Sequence, residues 1–200
     1  MNGHGSRRGR FVVIVGPDGV GKTTLAAELL RSWPGERGYF HFRPPIRGPL
    51  PPQAPPAGGF VAAKPDPAGN GSRLLGWVRL LKNLALFGAG HLFSIRPALR
   101  RGALVVGDRW AYPYLAAPAQ VHYHGPEWLA RSVIWTLPQP DLVVCLTAPP
   151  HVVVGRKAEL TLEQVEAQNL TWQSVPARRK TTLLALDPPE LLAARVLEQL

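Results

Sequence analysis

Gly16-Pro17-Asp18-Gly19-Val20-Gly21-Lys22-Thr23 has the spacing G-x-x-x-x-G-K-[ST], with Thr24 following in the same turn. Glycines at such positions tolerate positive φ, so the loop can curl its backbone N–H groups inward around phosphate oxygens. A helix starting near Lys22 adds its positive dipole end at the same point. Lys22 is long enough to reach β- and γ-phosphates, and the Thr23 hydroxyl is an oxygen ligand of the kind a phosphate-bound Mg²⁺ takes. ATP and Mg²⁺ are therefore the expected ligands of residues 16–24. A glycine-rich strand–helix turn without a ligand is the competing explanation. The apolar run Phe11-Val12-Val13-Ile14-Val15 before the loop and the helical pattern Leu25-Ala26-Ala27-Glu28-Leu29-Leu30 after it favour the cradle.

A second group ends the run Ala103-Leu104-Val105-Val106-Gly107-Asp108-Arg109. An apolar strand that delivers a carboxylate at its end supplies what a phosphate-loop enzyme needs to fix Mg²⁺ or its waters, so Asp108 joins Thr23 as the expected metal residues. Arg109 offers a planar fork of donors for a phosphate. A surface turn after a strand is the plainer reading of the pair.

With these residues in hand, the chain resembles the thymidylate kinase family of P-loop nucleotide kinases along most of its length. The likeness rests on Asp18 inside the phosphate loop, Arg43 leaving the second strand, and the triplet Asp108-Arg109-Trp110. It extends to Ile95-Arg96-Pro97-Ala98-Leu99-Arg100-Arg101-Gly102 and to Pro140-Asp141-Leu142-Val143-Val144 leading on to Arg156. The resemblance implies a nucleoside monophosphate kinase-like fold with a lid over 156–162. Arg156, with Lys157 as a weaker partner, would close over the phosphates, so Lys22, Arg109 and Arg156 are the expected catalytic residues. It further implies that Asp18 and Arg43 face the acceptor beside Asp108 and Arg109, and that the protein is a homodimer through sheet-flanking helices.

The acceptor side departs from that family. Arg43-Pro44-Pro45 stands where the family reads Arg-Glu-Pro-Gly, Ala111-Tyr112-Pro113-Tyr114-Leu115 stands in place of its Ser-rich stretch, and Gly88-Ala89-Gly90-His91 holds no arginine for the base. The expected activity is transfer of the γ-phosphoryl group of ATP to a small anionic acceptor such as a nucleoside monophosphate, with thymidylate a poor one. Alternatives are a kinase of a sugar or specialised metabolite, and a nucleotide-binding switch without an acceptor. Tyr112 and His122-Tyr123-His124 are candidates to shape the pocket, although a His-Tyr-His loop also reads as plain surface. Glu159, Glu163 and Glu166 read as a solvated helix face.

The elements that position these groups follow from the apolar pattern. Continuous rather than alternating runs predict strands at 11–15, 39–43, 103–107, 142–147 and 182–186, covered on both faces. Helical segments are predicted from 22, across 72–101, at 126–137, across 150–173 and at 188–200. That is an α/β fold, a parallel five-stranded sheet with helices on both faces, in one domain over 1–200 with a flexible N-terminus at 1–10. Prolines from Pro44 to Pro67 predict a long extended loop over 44–70, lying over the active edge or without order. Residues 74–87, apolar but interrupted by Arg79 and Lys82, predict a mostly buried core or dimer helix, with Arg73, Gly76, Arg79, Lys82 and Asn83 on one stripe. An interfacial membrane helix is the alternative there.

The 200 residues carry a net charge of +10 and are 46% hydrophobic. That charge suits nucleotides and phosphorylated substrates as well as nucleic acid, and the basic residues are scattered without a nucleic-acid module, so no nucleic-acid partner is expected. No signal peptide or transmembrane segment is expected, and the single Cys145 lies in an apolar run, which together suit a cytoplasmic protein. No Cys and His residues stand at metal-ligand spacing.

Overall fold

Runs of β-branched and aliphatic residues, apolar on both sides, form strands that helices must cover front and back, and five of them make one sheet. The computed structural model describes residues 8–55, 73–156 and 161–200, without the side chains of 73–75 and 156. Its strands are β1 (Arg10–Val15), β2 (Arg37–His41), β3 (Leu104–Asp108), β4 (Leu142–Thr147) and β5 (Lys180–Leu184). All neighbours pair in parallel, in the order β2-β3-β1-β4-β5. The fold is the α/β architecture of P-loop kinases that the sequence predicts.

The period of two sorts β1 between two cores. Val12 and Ile14 join Leu25 and Leu29 of α1 (Lys22–Ser32) and Leu192 and Val196 of α8 (Pro189–Leu197). Phe11, Val13 and Val15 face Leu80 and Phe87 of α2 (Arg73–Gly90) and Val133 and Ile134 of α5 (Glu127–Thr136). Between α2 and α5 lie α3 (Arg96–Arg100) and α4 (Pro113–Ala116), and β4 leads to α6 (Pro150–Arg156). The next helix, α7 (Leu162–Ser174), serves both cores, giving Val165 to one and Trp172 to the other. Cys145 is fully buried, as expected of a small apolar residue there.

Several boundaries differ from the expectations. β1 begins inside the stretch predicted to be flexible, because the Arg10 N–H donates to the Ala103 carbonyl at 2.9 Å; residues 1–7 lie outside the described residues. β2 ends two residues early because Phe42 takes a left-handed conformation at φ 57°, which no strand continues through. β5 likewise runs over 180–184. The predicted helical stretch 72–101 is interrupted by a π-helical turn at His91–Ile95. Pro97 has no N–H, and its ring would strike the carbonyl four residues back, at Phe93, so the helix widens just there.

Of the core or dimer helix expected over 74–87, the core half is corrected: Leu80 and Phe87 are buried, but Trp77, Val78 and Leu81 are 43%, 54% and 58% exposed in the single chain. No helix among the described residues is long and apolar enough to cross a membrane. The first part of the proline-rich loop is fixed along the sheet edge. The Tyr39 N–H donates to the Pro51 carbonyl at 2.7 Å, Ser94 donates to the Pro45 carbonyl at 2.6 Å, and Leu50 is buried. This covers the open edge of β2, which would otherwise offer unpaired backbone groups. Residues 56–70 of the loop, and 157–160 of the lid region with Glu159, lie outside the described residues.

Phe87 ties this architecture to the site, its ring 4.9 Å from that of Trp110 and 5.3 Å from that of Phe42. Phe87→Ala leaves a cavity between α2 and the sheet and is expected to cost about 3–5 kcal/mol. Urea unfolding checks this: the midpoint should fall with an unchanged slope, and a loss under about 1 kcal/mol would show that α2 does not depend on this contact.

Candidate active site

The glycine-rich loop over residues 16–23 follows β1 through three glycines whose backbone other residues avoid, Gly16 at φ 148°, Gly19 at 82° and Gly21 at 104°. At Gly16 a Cβ would lie 2.2 Å from the Leu146 carbonyl oxygen, so β4 leaves no room for a side chain. Lys22 opens α1 and folds back into the loop. Its Nζ donates to the Pro17 carbonyl at 2.6 Å and the Gly16 carbonyl at 3.0 Å, and stands 3.5 Å from Asp18 Oδ1. Burial, and next the charge of Arg109, lower its pKa below the ordinary lysine value against the pull of Asp108 and Asp18. Gly19 to Thr24 line the cavity beyond it.

Asp108 ends β3 in register with Ile14 of β1 and His41 of β2. Its Oδ2 lies 3.1 Å from His41 Nδ1 and accepts from the Tyr39 hydroxyl at 3.5 Å. Burial pushes the carboxyl up, but the His41 hydrogen bond and the charges of Lys22, His41 and Arg109 prevail and hold it below the usual carboxylate range. Its Oδ1 is buried without a hydrogen-bond partner among the described residues.

Arg109 and Trp110 both adopt left-handed conformations, at φ 73° and 50°. Consecutive residues of this kind strain the backbone and persist where the surroundings impose them. The turn sends the two side chains opposite ways. Trp110 enters the core, 5.4 Å from the Phe11 ring and 5.7 Å from that of Phe40. Arg109 enters the cavity, where Nη2 pairs with Asp18 Oδ1 and Nη1 donates to Gln120 Oε1 at 2.9 Å.

Loop, strand ends and α2 border a half-open cleft of about 1330 Å³. That exceeds the roughly 300–1,000 Å³ of a single small-ligand site, leaving room for two ligands. Asp18, Lys22, Thr23, Thr24, Arg43, Asp108 and Arg109 all line it. Gly16 and Pro17 are buried behind them and contribute the carbonyls that hold Lys22. Arg156 ends α6, with its side chain outside the described residues.

Tyr112 is a correction. It is fully buried in the aromatic core and lines no part of the cavity, because the left-handed turn at Arg109 and Trp110 directs the following residues under the sheet. The histidine loop divides, with His122 lining the cavity and Tyr123 buried, its hydroxyl donating to the Pro126 carbonyl at 2.9 Å. Glu163 and Glu166 are exposed, as expected of a solvated face. Sequence reasoning missed His41, Arg79, Lys82, Asn83 and Gln120 as cavity residues. For three of them the signal existed, since Arg79, Lys82 and Asn83 form the polar stripe of an otherwise apolar helix.

The donor set fits Mg²⁺. Thr23 and Asp108 present oxygens, and Asp108 Oδ1, 3.9 Å from Arg109 Nε, accepts no hydrogen bond among the described residues. Among the described residues no cluster of three or more His, Cys, Asp or Glu side chains could hold a metal. A hard ion that keeps waters and takes phosphate oxygens as ligands needs no such cluster.

No family model matches the chain. It is similar to a thymidylate kinase of Lactobacillus delbrueckii subsp. bulgaricus, 26% identical over an alignment that covers 94% of each chain. Likeness along nearly the whole length, at this low identity, agrees with the P-loop kinase architecture described above and extends over both the phosphate loop and the Asp108-Arg109 turn.

Proposed function

We propose that this protein is an ATP- and Mg²⁺-dependent phosphotransferase, one kinase domain over 1–200, that moves the γ-phosphoryl group of ATP to a small phosphate-bearing acceptor. The observation that carries the reading is the convergence of Lys22, Asp108 and Arg109 in one cavity with room for two ligands. A nucleotide switch needs the phosphate loop but no second compartment.

In this reading Lys22 exchanges the Pro17 and Gly16 carbonyls for β- and γ-phosphate oxygens. Arg109 exchanges the Asp18 carboxylate for the transferring group, so both cations meet charge that grows in the transition state. Thr23 and Asp108 would hold Mg²⁺, which when bound neutralises phosphate charge. His41 and Tyr39 fix the Asp108 carboxylate by its Oδ2 and leave Oδ1 for the metal or its waters. Asp18, released from Arg109, turns toward the acceptor, whose own charge Arg43 reads. Arg156 completes the site when the lid closes and excludes water. A nucleoside monophosphate is the first acceptor class, supported by the name of the Lactobacillus relative. The replaced residues at Pro44-Pro45, Gly88–His91 and Ala111–Leu115 argue against thymidylate itself. A homodimer, no nucleic-acid partner and a cytoplasmic setting belong to the same reading.

Lys22→Ala removes the ammonium that bridges loop and nucleotide and is expected to reduce turnover by more than roughly a hundredfold, with an unchanged circular dichroism spectrum. Near-normal phosphorylation of an acceptor by that variant would end the kinase reading.

The alkaline side of the pH profile tests the same residue. Lys22 loses its proton as pH rises through a lowered pKa, so kcat/KM for ATP, which reports the free enzyme, is expected to fall before the ordinary lysine value of 10.5. A profile flat up to pH 10.5 contradicts the placement of a buried, functional ammonium.

A further inference from the structure

The α2 wall of the cavity carries two cations, Arg79 and Lys82, to which the reading above gives no role. Arg79, Lys82 and Asn83 follow one another at i, i+3 and i+4, hence on one helix face, and all three line the cavity. Arg43 reaches the same face from the end of β2. Its Nη1 donates to Asn83 Oδ1 at 2.8 Å, and its guanidinium stands 5.8 Å from the centre of the Phe42 ring. Asn83 passes the connection on by donating to the Tyr114 hydroxyl. Burial raises the pKa of that hydroxyl, and the Asn83 hydrogen bond and the charges of Arg43 and Arg79 oppose the rise.

The two ends of the cavity differ in charge balance. At the phosphate loop Lys22 and Arg109 face Asp18 and Asp108. Asp187, also on the cavity wall, is paired with Arg195 at 2.6 Å. At the α2 wall no carboxylate of the described residues stands within ion-pair distance of Arg43, Arg79 or Lys82. Arg43, Arg79 and Lys82 are exposed to solvent there, and an anion between them gains charge-assisted hydrogen bonds. The apolar side chains of Phe42 and Leu86 line the same end and suit the body of a small molecule.

We propose that Arg79 and Lys82, beside Arg43, form a second anion site, for a phosphate group at the far end of the acceptor, so that the substrate class is small molecules bearing two phosphate groups. This rests on the phosphotransfer reading above. An oxygen of the near phosphate forms the new bond to the γ-phosphorus, the bond from that phosphorus to the β–γ bridging oxygen breaks, and ADP leaves with the electron pair. The product is an acid anhydride on the near phosphate, while the far phosphate stays on the α2 wall as an anchor.

The test compares matched acceptors with and without the far phosphate, in the wild type and in the Arg79→Gln/Lys82→Gln double variant. The probes are a nucleoside 3′,5′-bisphosphate against its 5′-monophosphate, and fructose 1,6-bisphosphate against fructose 6-phosphate. Binding is read by calorimetry and turnover by ADP release with ATP and Mg²⁺. In at least one pair the wild type is expected to favour the bisphosphate by roughly tenfold or more, in Kd and in kcat/KM, the scale of one or two charge-assisted hydrogen bonds. The double variant, with an unchanged unfolding midpoint, should lose that preference. Equal values within every pair, or a preference that survives in the double variant, overturns the second site and leaves phosphotransfer standing. If nothing is turned over but the far phosphate tightens binding in the wild type alone, the anion site stands and the phosphotransfer reading falls. Absence of both binding and turnover overturns both.

Discussion

Three parallel strands end level with one another: Ile14, Asp108 and His41 stand side by side across β1, β3 and β2. The ladder runs one residue further on each side, the Arg109 N–H donating to the Ile14 carbonyl at 2.9 Å and the Phe42 N–H to the Asp108 carbonyl at 2.8 Å. Both donors sit in left-handed conformations, at φ 73° and 57°. The last hydrogen bonds of the sheet therefore hold the backbone at the points where it must turn sharply. These turns aim Arg109 into the cavity, start the Arg43 loop, and leave Asp108 between them. Ligands of parallel sheets gather at this edge, and here its chemistry is set by register rather than by any single loop.

The charges at this edge are arranged for exchange. Lys22 is 6% exposed and Asp108 is 4% exposed, and burying lone charges of this kind costs several kcal/mol each. Each has a local partner in the resting protein: loop carbonyls and Asp18 serve Lys22, and His41 and Tyr39 serve Asp108. Arg109 rests on Asp18 and Gln120 in the same way. On the proposed reading a triphosphate with its metal would replace these partners, so that binding would not create a lone buried charge. The cations of the α2 wall, Arg43, Arg79 and Lys82, are by contrast exposed and have no carboxylate partner among the described residues.

Much of this was legible in the residues. A phosphate loop between an apolar run and a helical pattern has few physical solutions, and Val105-Val106-Gly107-Asp108 announces a strand that ends in a carboxylate, so the strands and most of the cavity residues near the loop were found. Two kinds of feature were not. Tyr112 and Trp110 depend on the left-handed turn at Arg109, which non-glycine residues seldom adopt and which no local pattern signals. Read as an extension of the site, Tyr112 instead went into the core. His41 meets a partner far along the chain, Asp108, and Gln120 meets Arg109 only because the chain turns back beyond the left-handed pair, so only the fold brings them into view. Arg79, Lys82 and Asn83 lay between these cases. Their helical spacing was visible, but a polar stripe reads equally well as solvent-facing until β2 delivers Arg43 against it.

Phosphorus NMR of the protein with ATP, Mg²⁺ and the phosphate-bearing acceptors tests the central claim most directly, because it follows the γ-phosphoryl group itself. The expected spectrum gains resonances of a new phosphoanhydride on the acceptor in step with those of ADP. ADP accompanied only by inorganic phosphate, or ATP left intact with every acceptor, would contradict a cavity built to pass the phosphoryl group from one ligand to another.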